Sequence, residues 1–190
     1  RLGPAVAPKE IDFKPGMAEV YKTLGILNFM FGNIDKAIES TNLSKETYIE
    51  LGDRNGEAAC YVNTGIFNRN TGDIEGAGES YQKALEIYKE IGDNEGAAKT
   101  FNNLGNLFKM QGDYKTALDY YFESLRYYED IQDKYMTASL YQNIGIIYSE
   151  QNLPDEAIDN YNKALKLYTE IDDRKGIADT YANMGFEYGV

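Results

Sequence analysis

Apolar and small residues recur along this chain on two nested spacings. Within stretches of about 16 residues they fall three and four apart, which keeps one face of an α-helix turned inward. The stretches themselves repeat. Gly25, Gly65, Gly105, Gly145 and Gly185 stand 40 residues apart, each four residues after an aromatic: Tyr21, Tyr61, Phe101, Tyr141 and Tyr181. Twelve residues after the glycine comes Ala37, Ala77, Ala117 or Ala157. Sixteen after it comes Tyr81, Tyr121 or Tyr161, with Thr41 breaking the pattern in the first unit. Nineteen after it comes a small residue: Ser44, Ala84, Ser124 or Ala164.

Each unit predicts two helices. In the third unit the first helix presents Ala98, Phe101, Leu104, Gly105 and Phe108 on one stripe. In the second unit the corresponding helix runs from about Asn55 to Asn70, and the next carries Ile74, Ala77, Tyr81, Ala84, Leu85, Tyr88 and Ile91. Gly32-Asn33, Gly72-Asp73 and Gly112-Asp113 separate the helices of a pair. Glycine there suits a left-handed cap, and Asp or Asn caps the following helix. The fourth unit has Asn152-Leu153-Pro154 instead, with Pro154 suited to a first helical position. Gly52-Asp53, Gly92-Asp93, Gln132-Asp133 and Asp172-Asp173 join the units. The spaced glycines and alanines predict close helix approach, with aromatics filling the space between layers. Two helices cannot bury their apolar faces alone, but stacked neighbours can.

Composition narrows the function. The chain has 190 residues, 43% hydrophobic and 26% charged, as in ordinary soluble domains. Its net charge of -12 repels nucleic acid phosphates and anionic lipid, so neither is an expected partner. No stretch is long and apolar enough to span a membrane. One cysteine, Cys60, and no histidine exclude internal disulfides and any Ser-His-Asp or Cys-His machinery. A thiolate-imidazole zinc site lacks ligands. The expectation is a non-enzyme without cofactor or metal. Asp53, Asp93 and Asp173 read as linker caps rather than a cation site, and Cys60 as a semi-buried packing residue.

The offsets of aromatic, glycine, alanine, tyrosine and small residue resemble the tetratricopeptide repeat, in a 40-residue form with lengthened helices. The resemblance covers residues 17 to 190. Similar units occur in kinesin light chains, in G-protein modulators of spindle orientation, and in bacterial sensor kinases and peptide-sensing regulators. It implies an all-α, right-handed superhelical solenoid of antiparallel helix pairs, with four repeats plus one extra helix. The repeats are expected at about 17–53, 54–93, 94–133, 134–173 and, in part, 174–190. The usual tryptophan is Tyr or Phe here, and the usual proline ending the second helix is absent. The first unit departs most, at Thr23 and Thr41, as a terminal cap would.

Residues 1–16 hold three of the four prolines, Pro4, Pro8 and Pro15, and predict an extended arm or linker outside the stack. At the other end the last helix is expected to bury Tyr181 and Met184, and the native chain to continue past Val190.

A helical wheel separates packing from ligand contact. With the aromatic at zero and about 100° per residue, the glycine shares its face and the residue two after the aromatic points away. That residue is Asn63, Asn103, Asn143 and Asn183. Asparagine is a poor helix former, and its amide offers two donors and an acceptor for an extended backbone. The resemblance places this position in the concave groove that holds peptide ligands. Neighbouring wheel positions add Ile66, Arg69, Lys99, Asn102, Asn106, Lys109, Gln142 and Ile146. Arg69, Lys99 and Lys109 cluster at the centre, which predicts a peptide with an acidic or carboxylate centre, flanked by apolar contacts at Ile66 and Ile146.

The expected function is a scaffold binding a peptide or protein segment along the first helices. Two rivals stand beside it: a ligand-sensing segment of a larger sensor kinase, cyclase or transcription regulator, and a self-assembly module using the unpaired C-terminal helix. One cysteine and an acidic surface fit a cytoplasmic protein and leave the periplasm open.

Overall fold

The computed structural model describes residues 13–188, with side chains through residue 185. The expected arm therefore lies largely outside the described residues, as does Val190. Among the described residues the architecture is all-α, with nine helices and no strand. They are α1 (Lys14–Met30), α2 (Ile34–Leu51), α3 (Arg54–Thr71), α4 (Ile74–Ile91), α5 (Asn94–Met110), α6 (Tyr114–Asp130), α7 (Lys134–Glu150), α8 (Pro154–Glu170) and α9 (Arg174–Tyr188). Helix α1 begins three residues before residue 17, because Pro15 sits in the first turn, where its missing N–H costs nothing.

The helix boundaries follow from local chemistry. Asp53, Asp73, Asp93, Asp113, Asp133 and Asp173 each accept a backbone N–H from three residues ahead, at 2.9–3.2 Å. At the other ends, Gly52, Gly72 and Gly92 take positive φ and return backbone N–H groups to the last turn. Gln132, Asn152 and Asp172 hold the same left-handed position without glycine.

Consecutive helices pack as antiparallel pairs, α1 with α2 through α7 with α8, and each second helix then meets the next first helix. Among like helices, α1 touches α3, α3 touches α5 and α7 touches α9, whereas no two second helices come equally close. The row of first helices is therefore the tightly spaced side of the stack. Phe29 of α1 stacks on Phe67 of α3 with ring centroids 4.5 Å apart, a contact along that row.

The repeat glycines have a specific steric reason. A Cβ on Gly65, Gly105 or Gly145 would stand 2.5–2.6 Å from ring carbons of Tyr81, Tyr121 or Tyr161. The expected close approach is thus mainly helix backbone against tyrosine face. In the first unit Thr41 takes the tyrosine's place under Gly25. A second socket joins the units: Gly56, Gly96 and Gly176 lie under the rings of Tyr48, Tyr88 and Tyr168 from the preceding second helix.

The burial pattern corrects the wheel. The signature aromatics Tyr61, Phe101 and Tyr141 are half-buried, and Tyr181 is 58% exposed, not buried as expected. Met184 is half-buried. In α3, α5 and α7 the most enclosed positions are the residue before the aromatic (Cys60, Thr100 and Leu140, with Thr180 in α9, all at 0%), the alanine three before it (Ala58, Ala98 and Ala138, at most 1%) and the residue six after it (Phe67, Leu107 and Ile147, at most 3%). A first helix inside the stack is covered by the previous second helix, its own second helix and the next first helix. Its buried arc is correspondingly wide, and its centre lies roughly 60° from the aromatic. Cys60 is fully rather than partly buried. Its Sγ lies 3.3 Å from Ser44 Oγ, which donates to the Ala18 carbonyl, and burial pushes the thiol pKa up.

Candidate functional site

The shared register brings Asn63, Asn103 and Asn143 to the same place on α3, α5 and α7, along the closely spaced row, with Asn183 in the same register on α9. All four are half-buried. They flank the packed arc rather than standing opposite its centre. None of the four amides has a hydrogen-bond partner among the described residues. In the first unit the position is Thr23, whose hydroxyl donates to the Glu19 carbonyl at 2.9 Å.

The other predicted residues divide into three groups. Ile66, Arg69, Lys109 and Ile146 are half-buried on the same row, and neither Arg69 nor Lys109 forms an ion pair among the described residues. Arg69 lies close enough for its charge to act on the hydroxyls of Tyr81 and Tyr121, although burial dominates and raises both pKa values. Lys99 is exposed and paired with Glu95 one turn earlier at 2.5 Å.

Asn102, Asn106 and Gln142 turn toward their own repeats. Asn106 Oδ1 accepts from Tyr121 Oη at 2.8 Å, and Gln142 Oε1 accepts from Tyr168 Oη at 3.4 Å. The matching pair in the third repeat is Tyr128 and Asn102, and there both Tyr128 Oη and Asn102 Oδ1 are buried without a partner. Asparagine is one methylene shorter than glutamine and does not reach. Tyr81 Oη is likewise unpartnered, because Ile66 stands where Asn106 stands.

Glu150 shares the wheel sector of the predicted residues, toward an end of the row. The Glu150 carboxylate beside Tyr114 raises that phenol's pKa by its charge, and the same charge acts on Tyr121. Glu150 and Arg69, of opposite charge, thus both act on the Tyr121 phenol. Asn70 and Met110 hold the same repeat position.

The other side of the stack carries shallow grooves between successive second helices. One, of about 520 Å³, is floored by Tyr141 with Lys163 over its ring at 5.5 Å. The equivalent groove one repeat earlier, of about 590 Å³, is floored by Phe101 under Lys89. These positions explain the half-exposed signature aromatics: each meets a lysine stem and ammonium rather than water alone. Among the described residues no group of three or more His, Cys, Asp or Glu side chains could hold a metal, and no helix is long and apolar enough to cross a membrane.

Two family models, both described as tetratricopeptide repeat, match residues 56–130 and 138–168. A comparison with curated proteins gives no match. Among solved structures, BtubC from P. vanneervenii is similar over 93% of this chain and 73% of its own, with 24% identity and a TM-score of 0.84. A signal transduction ATPase with numerous domains and a tetratricopeptide repeat sensor, from Pyrococcus horikoshii, matches with 22% identity and a TM-score of 0.83 over 95% of this chain and 28% of its own. The Rap conjugation gene regulator of plasmid pLS20, solved with the Phr* peptide, matches with 17% identity and a TM-score of 0.79 over 95% of this chain and 49% of its own.

Proposed function

Because this chain belongs to the tetratricopeptide repeat family, we propose that it is a non-catalytic receptor for an extended peptide or protein segment, held along the row of first helices. The observation that carries this reading is the set of half-buried asparagines in one register, none with a hydrogen-bond partner among the described residues. A folded domain rarely leaves such amides unused without water or a ligand to serve them. Spaced one repeat apart, they match an extended backbone whose N–H and C=O groups alternate. The helices are already stacked, so the receptor side loses little entropy on binding.

Arg69 and Lys109 give the centre of the trough its charge, which favours a ligand with a carboxylate or acidic side chain there. Glu150 limits that preference to the centre and favours a cationic or neutral residue farther along. Ile66 and Ile146 supply apolar contacts on either side. Asn106 and Gln142 support the trough by positioning Tyr121 and Tyr168 beneath it.

A second reading is a sensor segment within a larger regulator. It is favoured by the Pyrococcus and plasmid pLS20 proteins, in which a similar stack makes up 28% and 49% of the chain.

The test is a peptide-array screen with the wild type and the Asn103→Ala, Asn143→Ala double variant, followed by titration of the best binder. Two lost neutral hydrogen-bond sites correspond to about 1–3 kcal/mol, or roughly 5- to 150-fold weaker binding. Lys109→Glu should weaken acidic-centred peptides and spare neutral ones. Equal affinity of the wild type and both variants for every bound peptide removes the row of first helices as the site.

A further inference from the structure

In α3, α5 and α7 the stripe that begins one position before the aromatic is sealed by the preceding second helix. Cys60, Thr100 and Leu140 are 0% exposed, and Phe67, Leu107 and Ile147 at most 3%. The same stripe on α1 is open. Val20 is 57% exposed, Leu24 42% and Leu27 43%, with Met17 at 47%. Gly16, the counterpart of the glycines that receive tyrosine rings, has nothing among the described residues within 4 Å of a Cβ position. A cavity of about 360 Å³ lies there, lined by Phe13, Gly16, Met17, Val20 and Tyr21.

Two features separate this face from an internal repeat face left uncovered. First, it is longer. At the stripe's two ends the internal units carry polar residues, Asp53, Asp93 and Asp133 at one and Thr71, Gln111 and Gln151 at the other. The first unit carries Phe13 and Phe31, 70% and 79% exposed. Second, the spacing is now a regular heptad. Phe13, Met17, Val20, Leu24, Leu27 and Phe31 are separated by four, three, four, three and four residues, the seam of a two-helix coiled coil.

The series also reads alike from both ends. Turned end for end, Phe13 meets Phe31, Met17 meets Leu27 and Val20 meets Leu24, which is the requirement of a two-fold, isologous contact. We propose that α1 is a homodimerisation helix, pairing antiparallel with α1 of a second copy.

Charge favours the same partner. The chain carries -12 overall, but residues 13–51 hold four lysines against five carboxylates, a net of -1. A dimer through α1 therefore joins the copies at a nearly neutral part of two acidic molecules. The residues flanking the seam, Gly16, Tyr21, Thr23, Asn28 and Met30, are uncharged, and Lys14 is paired with Glu50 at 3.1 Å. With Met30, 74% exposed, the seam side chains offer on the order of 600 Å² per copy, taking roughly 150 Å² for each. That approaches the ~800 Å² per partner of a specific interface. Neither the trough residues nor α9 takes part, so this proposal and the receptor reading stand or fall separately.

Sedimentation equilibrium of the 190-residue chain over a concentration series tests it. The expected result is a reversible dimer that the Val20→Asp, Leu24→Asp variant weakens at least ~100-fold, since four carboxylates would face one another across an apolar seam. Circular dichroism should show unchanged helix content, because both positions are exposed. Orientation is read by disulfide trapping. Phe13→Cys mixed with Phe31→Cys should cross-link, while either variant alone should not, its thiols lying about 27 Å apart. A monomer at all concentrations, or a dimer indifferent to the aspartates, overturns the proposal. A monomer that dimerises only when residues 1–12 are removed also overturns it, because the arm would then be what covers α1. Cross-linking of Phe13→Cys to itself overturns the antiparallel pairing.

Discussion

At the scale of single residues, the fold depends on glycines that receive rings. A methyl group on Gly105 would stand 2.6 Å from two ring carbons of Tyr121, which is fully buried and cannot move aside. Gly105→Ala should therefore destabilise by about 1–3 kcal/mol, the usual range for overpacking. Gly78 is the internal control: a Cβ there meets only Leu107 Cδ2, at an ordinary 3.6 Å. Gly78→Ala removes chain entropy from the unfolded state and should stabilise by about 0.5–1 kcal/mol. Urea denaturation of both variants checks the opposite signs. The tyrosines that fill the sockets also set an alkaline limit. Burial pushes the phenols of Tyr88, Tyr128, Tyr141 and Tyr168 up to about 12, from an unfolded value near 10. The native state thus holds protons that the unfolded chain releases between those values. The tyrosines' contribution to stability should be fully present below about pH 10 and be lost as the pH rises toward 12. Urea midpoints at pH 9, 10.5 and 11.5 measure this, and a flat profile would contradict it.

At the scale of the helix, the Asp caps define where elements start. Asp93 accepts the Gly96 N–H at 2.9 Å, and its other oxygen receives Asn55 Nδ2 at 2.7 Å from the previous repeat. Asp93→Ala should cost about 1 kcal/mol for the cap, with a further loss for the inter-repeat bond. Asp113→Ala, whose side chain bonds only within the first turn of α6, to the backbone and side chain of Thr116, should lack that inter-helix loss, and thermal melting compares the two. These helix ends were legible in the sequence because cap chemistry is local: glycine then aspartate at four junctions, with Gln132 and Asp172 in the glycine's place before Asp133 and Asp173. The pairing of helices was legible for the same reason, since the register never slips. The orientation of each first helix was less legible. A wheel assumes one buried face, whereas α3, α5 and α7 are enclosed on three sides, so Tyr61 and Phe101 stand at the edge of the packing and Leu104 and Leu107 inside it. The candidate trough suffered accordingly. Gln142 shares a wheel sector with Asn143, yet it serves Tyr168 of its own repeat, while Asn102, one methylene shorter, leaves Tyr128 unpartnered; side-chain length and not helical angle decides.

At the scale of the molecule, stability is distributed unevenly along a one-dimensional stack. Each repeat touches only its neighbours, so local stability follows the interfaces on either side. The largest buried clusters lie in the middle, one around Tyr81, Leu104 and Leu107 and one around Tyr121, Leu140 and Ile144. The cluster between the first two units contains only Ala18, Tyr48 and Cys60 with Leu51 beside it, and Thr41 fills its own socket poorly, its hydroxyl buried without a partner. Helix α9 has no second helix of its own among the described residues, and Tyr181 stays exposed. Native-state hydrogen exchange should therefore protect α4 to α7 up to the global unfolding free energy, while α1, α2 and α9 open at lower cost. Concentration separates the two ends. If α1 pairs with a second copy, protection of α1 and α2 should rise with protein concentration, because dimerisation stabilises by mass action, whereas protection of α9 should not change. A peptide held across α3, α5 and α7 should protect the middle of the stack instead. Exchange measured at low concentration, at high concentration and with a bound peptide thus assigns each contact to its own stretch of the chain. Uniform protection across all helices would show that the stack unfolds as one cooperative unit.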